Sequence, residues 1–274
     1  MPLSLLTMNI GHPSLERARR QLTWLAQRTE DVFILTETGA GPGTQHLAQS
    51  FADAGWCVTY PHHPDKERGV MLLSKLAATL DPIGAAMTYL PARLAGIRID
   101  TGNGPIRVLG AYVPSRDATE SKTRRKRDWI DACHKALDAT AGAEPALFLG
   151  DLNVLEPGHI PPHRGQFAPF ETDFYRSLTD RHDLVDLFRH QHPDAVEHSW
   201  ARRPDLGYRY DHAHGSPSLA THLTSCEYVH QTREQILDQA ALTDHSGLAV
   251  RLALTPTAPL ITSDPAAERE ATLF

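Results

Sequence analysis

The 274-residue chain predicts one α/β domain in which two mostly antiparallel sheets pack face to face, with helices on their outer faces. Three observations carry this. Apolar segments of strand length are numerous, and each half of the chain also holds a helical stretch. The order runs strand–helix–strand, then hairpins, then strand–helix–strand. No linker divides two cores and no internal repeat recurs, so residues 1–254 read as one domain and 255–274 as a loosely ordered tail.

Each element follows from local pattern. Leu3 to Met8 is an apolar run that ends at the turn signal Asn9-Ile10-Gly11. Ser14 can cap a helix that sets Ala18, Leu22 and Leu25 on one face. Asp31 to Leu35 is a second buried strand, with Thr36-Glu37-Thr38 at its end and a loop over Gly39 to Gly43. Trp56 to Tyr60 and Gly69 to Ser74 read as a hairpin, and so do Leu94 to Asp100 and Ile106 to Tyr112, joined by Thr101-Gly102-Asn103-Gly104. Glu120 to Ala139 is a long helix, and Ala146 to Leu149 is a strand stopped by Gly150. Residues 155 to 205 read as long loops with short helices such as Asp173 to Arg181. Tyr208 to Ala213, Thr221 to Val229 and Leu248 to Leu254 are the last strands.

Composition narrows the function classes. Net charge is −6, from 27 basic and 33 acidic residues, which argues against a protein that holds nucleic acid by charge alone. A local basic run, Lys122 to Arg127, stands out; charge runs are usually solvated helix faces, and contact with phosphates is the other reading. The three cysteines, Cys57, Cys133 and Cys226, are widely spaced and odd in number, which argues against a disulfide framework or a cysteine zinc site. The sequence has no signal-like start and no apolar run near the roughly 20 residues that span a bilayer. The expectation is a cytoplasmic monomer with no membrane partner.

Polar residues gather where apolar strands end: Asn9, Glu37, Tyr112, Asp151 with Asn153, Asp211, and Asp244 with His245. The set suits phosphodiester hydrolysis. Mg²⁺ takes oxygen ligands and needs one or two carboxylates, which Glu37 and an aspartate supply. A histidine oriented by a carboxylate serves as base, and His245 with Asp211 or Asp244 fits. Asn9, Asn153, Tyr112 and His245 can donate to phosphate oxygens.

Seven strings carry a resemblance: Thr7-Met8-Asn9-Ile10, Ile34-Leu35-Thr36-Glu37-Thr38, Gly69 to Ser74, Ala111-Tyr112-Val113-Pro114-Ser115, Leu149-Gly150-Asp151-Leu152-Asn153, Arg209-Tyr210-Asp211-His212 and Thr243-Asp244-His245-Ser246. Each is weak alone. In this order over residues 7 to 246 they resemble the motif set of the exonuclease/endonuclease/phosphatase superfamily. The resemblance implies a four-layer αββα sandwich and dependence on Mg²⁺ or Mn²⁺. It implies that Glu37, Asp244 and Asn9 serve the metal site and that Tyr112, Asp151, Asn153, Asp211, His245 and Asn9 serve catalysis. His198-Ser199-Trp200 followed by Gly207 to Asp211 is similar to the exonuclease III and abasic-site endonuclease branch, whose aromatics line a pocket for a baseless sugar. Trp200 and Tyr208 become substrate-pocket candidates, with core packing as the other reading. Arg124 and Arg125 become phosphate contacts. Tyr210 stands where that branch has a small aliphatic residue, and His212 and His214 where it has apolar ones.

The resemblance thus implies a metal-dependent phosphodiesterase, foremost a DNA nuclease of repair type. The alternatives are the same chemistry on RNA, inositol phosphate, a sphingolipid or a small nucleotide, and a non-catalytic binding member of the family.

Overall fold

The computed structural model describes residues 2–267, apart from 63, 65, 143, 164, 204, 205, 235–239 and 258. Strands β1 (Leu3–Asn9) and β2 (Val32–Thr38) flank helix α1 (Leu15–Ala26), and α2 (Pro42–Asp53) leads to β3 (Cys57–Thr59) and β4 (Gly69–Ser74). Next come β5 (Ala78–Leu80), the short α3 (Ile83–Ala86), β6 (Leu94–Thr101), β7 (Gly104–Tyr112), the long α4 (Glu120–Ala139) and β8 (Ala146–Asp151). The rest holds α5 (Pro169–Asp180), β9 (Val185–Asp186), α6 (Leu187–Gln191), β10 (Trp200–Arg203), β11 (Leu206–Tyr208), β12 (Asp211–Gly215), α7 (Pro217–Ala220), β13 (Leu223–Val229) and β14 (Gly247–Leu252).

Two six-stranded sheets result, ordered β13-β14-β1-β2-β4-β3 and β5-β6-β7-β8-β12-β9, and β10 with β11 forms a separate ribbon. Each sheet has one parallel pair, β1 with β2 and β7 with β8, joined through α1 and α4; the other pairs are antiparallel. Side-chain alternation explains the layers. Leu3 and Leu5 of β1 join Val32, Ile34, Val70 and Leu72 in the core between the sheets, against Ile97, Val108, Leu147 and Leu149. Leu6 and Met8 point the other way, to Leu22, Leu25, Leu47 and Phe51 of α1 and α2. On the far side Leu109, Ala111 and Phe148 meet Trp129, Cys133 and Phe174 of α4 and α5. The result is the expected helix–sheet–sheet–helix stack. Among the described residues no helix is long and apolar enough to cross a membrane.

Several expectations shift. Strand β8 does not stop before Gly150 but runs through it to Asp151. Gly150 has φ +147°, and a Cβ there would lie 1.9 Å from the Ala111 carbonyl oxygen, so only glycine keeps the two strands this close. The strand expected over Tyr208 to Ala213 is two strands, β11 and β12, in different sheets. Arg209 causes the break: it leaves the ladder for a buried ionic cluster, its Nη2 2.6 Å from both Glu156 and Asp186, while Ser199 Oγ accepts the Tyr210 and Asp211 amides. Helix α2 begins inside the loop expected at Gly39 to Gly43, with Gly41 as N-cap and Pro42 at its first position. The chain after Thr255 crosses both sheets' flanks, with Thr257 N–H donating to Asp100 O and Ser263 N–H to Ala54 O. The part of the expected tail at 268–274 lies outside the described residues.

Candidate active site

Topology gathers the strand-end residues. Parallel β1 and β2 deliver Asn9 and Glu37 to one edge of the first sheet, and parallel β7 and β8 deliver Tyr112 and Asp151 to the matching edge of the second. Asp211, at the start of β12, sits opposite Asp151 in antiparallel register. His245 precedes β14 and bridges to Trp200. Glu37 falls in a β-bulge: Thr36 pairs with Val70 and Thr38 with Gly69, leaving Glu37 unpaired at φ +55°. A bulge re-aims its side chain, here from the buried layer into the cleft.

Hydrogen bonds join the two sheets. Asn9 Nδ2 donates to Asp151 Oδ2 at 2.9 Å, and Asn9 Oδ1 accepts from the Gly11 amide at 2.8 Å. Asp151 Oδ1 accepts from the Asn153 amide at 3.0 Å, a local turn that suits Asn153 at φ +50°. Asn153 Nδ2 donates to Val113 O at 3.1 Å. His245 Nδ1 and Asp211 Oδ2 are 2.7 Å apart, and Tyr228 OH steadies the Asp211 backbone carbonyl at 2.6 Å.

Burial and neighbouring charge set the protonation states. Burial first, and then the Asp211 charge, push the Asp151 carboxyl up to about 7. Burial disfavours the His245 imidazolium, but its bonded partner Asp211, with Asp151 and Asp244, outweighs that and holds the pKa up at about 10. Without a bound metal, the surroundings therefore favour the histidine as a cation near neutral pH and raise the proton affinity of the Asp151 carboxyl. Burial, with the carboxylates of Glu37 and Asp151, pushes the Tyr112 phenol up, so it keeps its proton. Arg93 lies over the Tyr112 ring at 4.5 Å.

Glu37, Tyr112, Asp151, Asn153 and His245 line one cleft of about 370 Å³. Asn9 and Asp211 stand behind it and hold the lining residues. Asp244 is exposed, accepts from Trp200 Nε1 at 2.8 Å and is outside the lining. Trp200 and Tyr208 both reach the cleft. Tyr208 is only 1% exposed, stacked on His163 at 3.9 Å and on Tyr210 at 5.1 Å, so its faces are already covered. Arg124 is paired with Glu120 one helical turn away and Arg125 with Glu67; neither lines the cleft. His212 and His214 are buried beside Asp186, away from it.

Sequence reasoning missed Arg116, Lys126, Phe167, Glu171, Arg202 and Tyr210, all of which line the cleft. Lys126 carried a signal: with Ile130, Cys133 and Leu137 it shares the buried stripe of α4. Arg202 also carried one, since it is two residues from Trp200 and strand alternation puts both on one face.

The donor set fits a divalent cation. Ligand atoms of Asp151, Asp211 and His245 all lie within 4.8 Å of one another, and with the imidazole held as a cation the carboxylates are the part of this group that suits an ion. Asp211 Oδ1 is buried without a hydrogen-bond partner, and Glu37 adds a third carboxylate to the same cleft. Oxygen-rich sites of this kind suit hard ions.

The fold has counterparts among solved structures. A 3'-5' exonuclease from Neisseria meningitidis superposes with a TM-score of 0.73 at 21% identity, covering 91% of this chain and 99% of that one. An AP endonuclease from Archaeoglobus fulgidus gives 0.72 at 20% identity, with the same coverage of 91% and 99%. A 3' phosphatase from Neisseria, bound to a product DNA hairpin, gives 0.68 at 21% identity, again over 91% and 99%. These likenesses establish a shared fold. No curated protein matches the sequence. The profile of the Endonuclease/Exonuclease/phosphatase family matches residues 6–264. The chain belongs to that family.

Proposed function

We propose that the protein is a divalent-metal-dependent hydrolase of phosphodiester bonds in DNA, using Mg²⁺ or Mn²⁺. The carrying observation is the Asp211–His245 pair, 2.7 Å apart, beside the proton-exchanging Asp151 in an open cleft. The likeness to an exonuclease, an AP endonuclease and a phosphatase bound to a DNA hairpin supports DNA as the substrate.

Glu37, with the neighbouring Asp211 carboxylate whose Oδ1 has no hydrogen-bond partner, would hold the cation, which when bound polarises a phosphate oxygen and offsets charge in the transition state. Asp151, held in place by Asn9 and by the Asn153 amide, accepts a proton from the attacking water as the water oxygen bonds to phosphorus and the P–O bond to the departing oxygen breaks, that oxygen taking its proton from solvent. Asp211 fixes the His245 ring through Nδ1, leaving Nε2 to donate to a phosphate oxygen as a cation. Tyr112, still protonated, is a second donor. Trp200 offers an apolar surface beside the reacting group.

The test is a cleavage panel in Mg²⁺ and in EDTA. Its substrates are a duplex with one abasic site, an undamaged duplex, a single strand, a 3'-phosphate end and bis-p-nitrophenyl phosphate. The reading expects metal-dependent cutting of at least one DNA. Hydrolysis of the small diester with every DNA intact would keep the chemistry and overturn the substrate.

A further inference from the structure

Lys126 is the one member of the basic run that turns inward. It is 1% exposed, and its Nζ donates to the Asn153 carbonyl at 2.6 Å and to Glu171 Oε1 at 2.6 Å. Glu171 is also 1% exposed and uses both oxygens. Its Oε2 accepts from Arg116 Nε at 2.8 Å and from the Ala168 amide, at the start of α5, at 2.8 Å. One carboxylate thus ties together α4, the chain leaving Tyr112, and the first turn of α5.

A buried ion pair of this kind adds little net stability, because desolvation offsets most of the attraction. Its position is the informative part. Lys126 reaches the backbone of Asn153, the residue at φ +50° whose amide holds Asp151 Oδ1. Asn153 Nδ2 is already spent on Val113 O. The turn that presents Asp151 is therefore pinned from three directions, and among the described residues Lys126 supplies the cationic pin.

We infer that Lys126, held by Glu171, is a positioning residue for the reaction: it fixes the Asp151–Asn153 turn and couples helix α5 to the catalytic geometry. This rests on the proposed hydrolase reading for its kinetic consequence, but not for its structural one. A displacement on the order of 1 Å at such a turn costs about 10²-fold in rate.

The experiment compares wild type with Lys126→Arg, Lys126→Met, in which Glu171 keeps Arg116 as its partner, and the double variant Lys126→Met/Glu171→Gln, which also removes the Glu171 charge. Two readouts are taken: exchange of the Asn153 backbone amide with deuterium, and kcat and KM on the DNA that wild type cuts. The inference expects Asn153 to exchange about tenfold faster in the double variant, the equivalent of one lost hydrogen bond, with Leu147 and Leu149 unchanged. It expects kcat to fall about 10²-fold with KM within about threefold, and Lys126→Arg to recover most of the loss. Unchanged Asn153 protection in a folded double variant overturns it, as does Lys126→Arg performing no better than Lys126→Met. A wild type that cuts no phosphodiester overturns the hydrolase reading instead, and the exchange result then decides the inference alone.

Discussion

Asn9 Nδ2 and Asp151 Oδ2 meet at 2.9 Å across the gap between the two sheets, one residue ending β1 and the other ending β8. Asp211 and His245 make a second such crossing at 2.7 Å. The proposed reaction centre therefore lies at the seam of the sandwich, and its geometry depends on both sheets being in register. Replacing either partner acts on protonation and position together.

Asp151→Asn separates stability from activity. With its pKa raised from 3.8 to about 7, Asp151 favours the neutral form in the folded protein. The folded state then binds more protons than the unfolded one between those values, so stability is lost as pH rises from 3.8 towards 7. Asparagine mimics the neutral form. The variant should melt a few degrees higher than wild type at pH 8 without metal. The difference should vanish below pH 3.8, and the variant should cut more slowly by about 10²-fold or more. Calorimetry across pH checks this.

Asp211→Asn should move the alkaline limit of the pH–rate profile. In wild type the His245 cation persists until pH passes about 10. Without the Asp211 charge, burial pulls that pKa down, so the cation is lost at lower pH. At pH 8, kcat/KM should drop about 10²-fold, with partial recovery on acidification. An alkaline limb that stays put would mean that Asp211 does not hold the charge.

Glu37 occupies a left-handed bulge at φ +55°, a conformation that costs a side-chain-bearing residue roughly 1–2 kcal/mol. Glu37→Gly should match or exceed the wild-type melting temperature without metal. It should lose most of the stabilisation that added Mg²⁺ gives wild type. Glu37→Gln, which keeps the strain, should lose the Mg²⁺ response and gain no stability. Thermal melts with and without Mg²⁺ distinguish them.

Arg202 lines the cleft with no partner among the described residues, whereas Arg124 is paired with Glu120 outside it. Arg202→Gln should weaken DNA binding and lower the slope of log affinity against log salt by about one unit. Arg124→Gln should change neither. Binding isotherms at several salt concentrations read both.

Much of this site was legible because its residues sit at or beside the ends of strands, Asn9, Glu37 and Asp151 at the ends of β1, β2 and β8 and Asp211 at the start of β12. Asp151, Asp211 and Glu37 could be placed at sheet edges from local pattern, and the sheets' face-to-face packing then brought them together. Long-range partners left no comparable trace. Lys126 sat inside Lys122 to Arg127 and read as solvated, although its spacing to Ile130 and Cys133 marks the buried face. Its partner Glu171 is 45 residues away, in a segment with no strand pattern. Tyr208 to Ala213 looked like one strand because nothing local shows that Arg209 turns into the Glu156 and Asp186 cluster. Helix α2 was hidden by the glycines before it, though Pro42, Leu47 and Phe51 carried its pattern.

The central claim is tested most directly by single-turnover cleavage of an end-labelled DNA duplex with Mg²⁺, comparing wild type with Asp151→Asn, and repeating wild type in EDTA. The account predicts cutting by wild type in Mg²⁺ alone, with the variant slower by about 10²-fold or more. Equal cutting by a folded Asp151→Asn variant, or full activity in EDTA, would contradict it.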